Sequence, residues 1–144
     1  MKILVIAQNF PDENHPNNYV FIKKTTDKLL DNEQIELRII APRPFYYKVK
    51  ENKTYAPLVI RPYYLSLFAR SKRYARLLNI LNSYFFSKAI IAGYNRIHFL
   101  PDIIYVHFIK AGICSIKLAK SLNVPLIIGS GESSFRRLNL DFPI

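Results

Sequence analysis

Pro101-Asp102-Ile103-Ile104-Tyr105-Val106-His107 is a short β-branched apolar run behind a turn, and Asn123-Val124-Pro125-Leu126-Ile127-Ile128 is a second run of the same kind. Between them Gly112, Ser115, Ile116, Ala119 and Leu122 recur at helical spacing, with Lys117, Lys120 and Ser121 on the other side. The spacing predicts a helix opened by Ala111-Gly112 and closed by Asn123-Val124-Pro125. Two strands that are apolar throughout, joined by an amphipathic helix, predict a parallel pair with a crossover connection.

The same alternation runs upstream. Lys2 to Ala7 reads as a strand buried on both faces, ended by Gln8-Asn9-Phe10-Pro11-Asp12. Beyond a loop through Asn18, Tyr19, Ile22, Thr26 and Leu29 form the apolar stripe of a first helix. Ile35 to Ala41 is the second strand, which Pro42 and Pro44 are expected to end. Leu58 to Arg61 is a candidate third strand within an irregular aromatic stretch. A helix from Arg70 toward His98 is expected to bury Tyr74, Leu77, Leu78, Leu81 and Phe85, with Lys72, Arg76, Asn79 and Ser83 opposite. The fold class is therefore α/β: one Rossmann-like, doubly wound parallel sheet with helices on both faces, spanning residues 1–144.

Composition bounds the partner more than the fold. Twenty-one Lys and Arg against 10 Asp and Glu give a formal charge of +11, which calls for an anionic surface or ligand. The excess is local, since no acidic residue falls between Glu51 and Asp102 while Lys53, Arg61, Arg70, Lys72, Arg73, Arg76, Lys88 and Arg96 do. The single cysteine, Cys114, excludes an internal disulfide, and no Cys/His spacing suggests a metal. The amino-terminal apolar run is too short for a signal peptide, and no stretch reaches the roughly 20 apolar residues of a membrane span. A cytoplasmic location is expected. No nucleic-acid motif accompanies the basic charge, so a nucleic-acid partner is not expected.

In an open parallel sheet, ligands bind at the carboxyl ends of the strands. The loop from Gln8 to Asn18 holds no glycine, so neither NAD nor FAD is expected there and no cofactor is called. His107 and Lys110, flanking the turn before Ala111-Gly112, put an imidazole and an ammonium near a helix amino terminus; they read as an anion or sugar-hydroxyl site, or as a backbone-bonded histidine beside a solvated lysine. The loop Gly129-Ser130-Gly131-Glu132-Ser133-Ser134 reads either as an oxyanion cradle or as a turn and helix cap, with Glu132 placed to hydrogen-bond a polyol.

The order of these features resembles the N-terminal domain of family 4 glycosyltransferases, two-domain enzymes of the GT-B fold. The likeness covers nearly the whole chain. Pro101-Asp102-Ile103-Ile104-Tyr105-Val106-His107 is similar to the family's Pro-Asp-hydrophobic-hydrophobic-His-x-His stretch, and Asn123-Val124-Pro125-Leu126-Ile127-Ile128 to its Gly-Val-Pro-strand segment. Lys2 to Ile6, Val20-Phe21-Ile22 and Ile39-Ile40-Ala41-Pro42 fit the same order.

The resemblance implies a retaining sugar transfer from a nucleotide-sugar donor to a glycan or lipid-linked acceptor, in surface polysaccharide or glycolipid synthesis. His107 matches the second family histidine and takes the catalytic assignment. Ser130, Gly131, Glu132, Ser133 and Lys110 take the acceptor. A donor-binding half outside these 144 residues is implied, without which the chain alone is not expected to turn over. Arg70, Lys72, Arg73 and Arg76 form a basic cluster suited to an anionic membrane surface. Tyr105 stands in place of the first histidine, Gly131 where histidine is frequent, and Tyr19 where a glycine usually precedes the helix. Those three positions motivate the alternative, a non-catalytic binding module or subunit that recruits a separate donor-binding chain.

Overall fold

The computed structural model describes residues 1–48, 55–68 and 72–129, with only the backbone of Lys72. Five parallel strands lie in the order β4-β2-β1-β6-β7, where β1 is Lys2–Ala7, β2 Glu36–Ile40, β4 Val59–Ile60, β6 Ile103–His107 and β7 Leu126–Gly129. The central strand β1 pairs Ile3 with Leu37 on one side and with Ile103 on the other. Period-two alternation then divides the core. Ile3, Val5 and Ala7 pack with Ile22 of helix α1 (Val20–Leu30), whereas Leu4 and Ile6 pack with Phe86 and Ile90 of α2 (Lys72–Tyr94) and with Ala111 and Leu118 of α3 (Ile109–Leu122). The predicted doubly wound parallel sheet is the observed architecture.

The prolines do not stop the chain from running extended. After β2, Arg43–Pro44 forms β3, which pairs in parallel with Tyr63–Tyr64, β5, as a separate two-stranded sheet. A two-stranded ribbon is all edge, and there a residue without an amide hydrogen costs no ladder bond. Helix α3 begins at Ile109, two residues before the expected Ala111. Its buried face is Ala111, Gly112, Cys114, Ser115, Leu118 and Ala119, while Ile116, placed inside by the sequence pattern, is exposed. Asn123 ends α3 in the left-handed region, with the amide of Val124 returning to the Ala119 carbonyl at 3.2 Å.

Helix α2 buries its expected stripe only in part. Of that stripe Tyr74 and Leu77 are exposed and Leu78, Leu81 and Phe85 are half-buried; Ile80 and Tyr84, outside it, are exposed as well, and full burial starts only at Phe86, Ala89 and Ile90. The packed side also carries small polar residues. Asn82 brackets the backbone of Leu67, accepting from its amide at 2.8 Å and donating to its carbonyl at 2.9 Å. Ser87 donates to the Cys114 carbonyl of α3 at 2.8 Å. Hydrogen bonds join the apolar contacts of Phe86 and Ile90 in fixing this helix face, which a count of apolar residues does not register. Among the described residues no helix is long and apolar enough to cross a membrane.

Candidate functional site at the carboxyl end of the sheet

The loop leaving β1 is organised by one buried carboxylate. Asp12 is inaccessible and meets the Arg43 guanidinium at 3.1 Å, while its Oδ1 accepts the amides of Asn14 at 2.9 Å and His15 at 3.0 Å. Arg43 also donates to the Phe10 carbonyl, and Arg61 donates to the carbonyls of Phe10 at 3.1 Å and Pro11 at 2.8 Å. Two cations of the basic chain are thus engaged in shaping this loop.

The loop ends on Tyr19, which has φ 55° and ψ 39° and opens α1. An L-residue other than Gly, Asn or Asp costs roughly 1–2 kcal/mol there. On the neighbouring strand, Phe108 alone connects β6 to α3, and a connection that short is made with φ 75° and ψ 142°. Both residues hold conformations that suit glycine, and both lie at the end of the sheet where ligands bind. Strain of this kind gathers at functional sites. The rings of Tyr19 and Phe108 touch edge to face, and Phe21 joins them from α1.

His107 closes β6 as the sequence predicts, paired between Ala7 and Gly129. Its ring sits on the α1 side of the sheet, 4.8 Å from the Tyr105 ring and 6.0 Å from that of Phe21, and the residue is only 5% exposed. Burial holds its pKa below the usual histidine value, so the imidazole is neutral at pH 7. Its Nε2 makes no hydrogen bond among the described residues. It is therefore neither a backbone-satisfied histidine nor an open one. Beside it the Tyr105 hydroxyl fills the space that a side chain at Gly129 would need.

Lys110 lies on the other face. From the first turn of α3 it lines a cavity of about 150 Å³ with Gln8, Tyr64, Ser66, Asn82 and Phe86. The sequence reading groups His107 with Lys110; the sheet separates their side chains, because position 107 follows the odd residues of β6 while α3 packs on the even ones. Gln8, Tyr64 and Ser66 were not foreseen as site residues. Gln8 could have been, as the first polar residue beyond an apolar strand; Tyr64 and Ser66 arrive through the β3–β5 pairing, which leaves no local signal. Ser130, Gly131, Glu132, Ser133 and Arg70 lie outside the described residues. Arg73 and Arg76 are exposed on α2.

A larger open cleft of about 400 Å³ lies at the opposite end of α3, between Ile116, Lys120, Asn123 and Leu126. It borders the amino end of β7, away from the strained turns and from His107. On the α1 face, Lys23 pairs with Asp27 at 2.8 Å, and the hydrogen bonds it donates to Asp27 and to Tyr55 push the lysine up to about 12. That cluster ties α1 to Tyr55 and is structural.

Among known proteins, neither a family model nor a curated sequence matches this chain.

Proposed function

We propose that this chain is the acceptor-side domain of a retaining, nucleotide-sugar-dependent glycosyltransferase of the GT-B kind, working on a glycan or lipid-linked acceptor. The observation that carries the reading is the polar cavity at the carboxyl ends of the strands, which Tyr64, Ser66, Gln8 and Lys110 line. Such a lining orients a hydroxylated acceptor by hydrogen bonds. Tyr19 adds support: the family's glycine position keeps a glycine-like backbone here although the residue is tyrosine. In this reading the neutral His107 offers Nε2 to a sugar hydroxyl, and Ser130, Gly131, Glu132 and Ser133 take an acceptor role by resemblance alone. The donor nucleotide is held by a second half or partner chain.

Amide chemical-shift mapping with candidate acceptor sugars tests the reading. Shifts should gather at Gln8, Ser66, Lys110 and Ala111; shifts confined to the cleft around Asn123 would refute it.

A second reading, a binding module without turnover, is favoured by the Tyr105 and Phe21 rings that enclose His107. Sugar transfer that His107→Ala abolishes would eliminate that reading.

We also place the protein at the cytoplasmic face of a membrane. Support comes from α2, whose exposed Tyr74, Leu77, Ile80 and Tyr84 adjoin exposed Arg73 and Arg76. An apolar stripe with flanking cations suits an anionic leaflet. Co-sedimentation with vesicles should require anionic lipid and weaken with salt; protein left in solution at low salt would exclude this location.

A further inference from the structure

The cavity beside Lys110 has features of its own that say which part of an acceptor it takes. Its volume of about 150 Å³ is below the roughly 300–1,000 Å³ of clefts that hold a whole small ligand, so it suits one group rather than an entire acceptor. Among the described residues that line it, Lys110 is the one that is charged and none is acidic. Four of the six, Tyr64, Ser66, Asn82 and Phe86, come from the stretch between Glu51 and Asp102 that contains no carboxylate at all. Among the described residues the charge lining the cavity is therefore positive.

The donors also have a shape. Asn82 is held by the Leu67 backbone, which engages its oxygen and one of its two amide hydrogens. Beside it stand the ammonium of Lys110 from α3, the primary amide of Gln8 from the end of β1, and Tyr64 and Ser66 from the β5 side, whose hydroxyls bond to one another. A lysine is a compact point charge, and with separate hydroxyl and amide donors it holds a small oxyanion, a doubly charged phosphate more strongly than a singly charged carboxylate. The amino-terminal turn of α3, to which Lys110 belongs, adds its partial positive charge.

We propose that this cavity binds a phosphate group of the acceptor, with Lys110 as its counter-ion. The inference rests on the acceptor-side reading and names the acceptor class: a phosphorylated sugar or alcohol, free or as the headgroup of a lipid. No bond is made or broken here; the phosphate anchors the acceptor so that a hydroxyl elsewhere on it reaches the donor.

The test is a titration of the labelled protein with inorganic phosphate and with glycerol 1-phosphate, followed by the amide shifts of Gln8, Ser66, Lys110 and Ala111. Saturable shifts are expected, with affinity about tenfold weaker in Lys110→Gln and restored in Lys110→Arg. Lys110 is exposed, so neither variant should disturb the fold. Glucuronate, which carries a carboxylate, should bind more weakly than either phosphate. Absent shifts, shifts that Lys110→Gln leaves unchanged, or tighter glucuronate binding would each overturn the proposal. Vesicles of phosphatidylcholine with phosphatidic acid, against those with phosphatidylserine, separate the two sources: a Lys110-dependent preference for phosphatidic acid marks a lipid headgroup, and its absence beside saturable glycerol 1-phosphate binding marks a soluble acceptor. Phosphate binding without any sugar transfer would remove the glycosyltransferase reading and leave the cavity assignment standing. Transfer to a phosphate-free acceptor at a rate Lys110→Gln does not change would do the reverse.

Discussion

The rings of Tyr19 and Phe108 meet edge to face with centroids 5.8 Å apart, and each belongs to a residue whose φ is positive. Two strained turns from different strands thus support one another across the carboxyl end of the sheet. At an ordinary helix position glycine is about 0.5–1 kcal/mol worse than alanine. At position 19 the order should reverse, with Tyr19→Gly more stable than Tyr19→Ala by about 1 kcal/mol, because only glycine is unstrained in the left-handed region. Urea unfolding of the two variants checks it. A more stable alanine variant would mean that Tyr19 does not hold this conformation.

The buried pair between Asp12 and Arg43 should be costly to break from one side. Arg43→Ala strands a carboxylate with no exposed surface, and a loss of about 3–5 kcal/mol is expected. Replacing both partners, Asp12→Asn with Arg43→Met, should cost less than that single change. Denaturant midpoints of the three variants measure the difference.

His107 supplies a pH dependence with a definite sign. Burial lowers its pKa in the folded state below the ordinary value of about 6.5, so the unfolded chain binds the proton more readily. Its contribution is complete above the unfolded value and is lost as pH falls through 6.5 toward the folded value, by at most about 1.4 kcal/mol per pH unit. Stability of wild type minus that of His107→Gln should therefore fall between pH 7 and pH 5. A flat difference would show an imidazole that titrates as in water. Because the ring packs on Tyr105 and Phe21, His107→Ala should also lower the melting temperature, unlike a histidine standing open at a cleft.

Helix α2 separates buried from exposed apolar residues sharply. Leu77→Ser and Ile80→Ser should change unfolding free energy by no more than about 0.5 kcal/mol, whereas Ile90→Ala should cost about 2–5 kcal/mol. The two serine changes should nonetheless weaken binding to anionic vesicles. Large stability losses at Leu77 and Ile80 would mean that another surface covers them in solution.

Much of this architecture was legible because it depends on local pattern. Lys2–Ala7, Ile103–His107 and the α3–β7 segment are apolar runs bounded by turn residues, and the parallel arrangement follows from the helices between them. The face of α2 was not legible, since Asn82 and Ser87 pack through bonds to Leu67 and Cys114 that are remote in sequence. The placement of the candidate residues divided in the same way. The position of His107 at the end of a strand was legible, as was that of Lys110 in the next turn. Their separation onto opposite faces depended on Phe108, whose single-residue connection the apolar pattern does not reveal.

The central claim is sugar transfer, and it is tested most directly by this chain together with its donor-binding half or partner chain, supplied with labelled nucleotide sugars and phosphorylated acceptors. Label should pass to the acceptor, Lys110→Gln should raise the acceptor KM by about tenfold, and His107→Ala should lower kcat. No transfer from any nucleotide sugar, with the protein folded and the acceptor bound, would contradict the account.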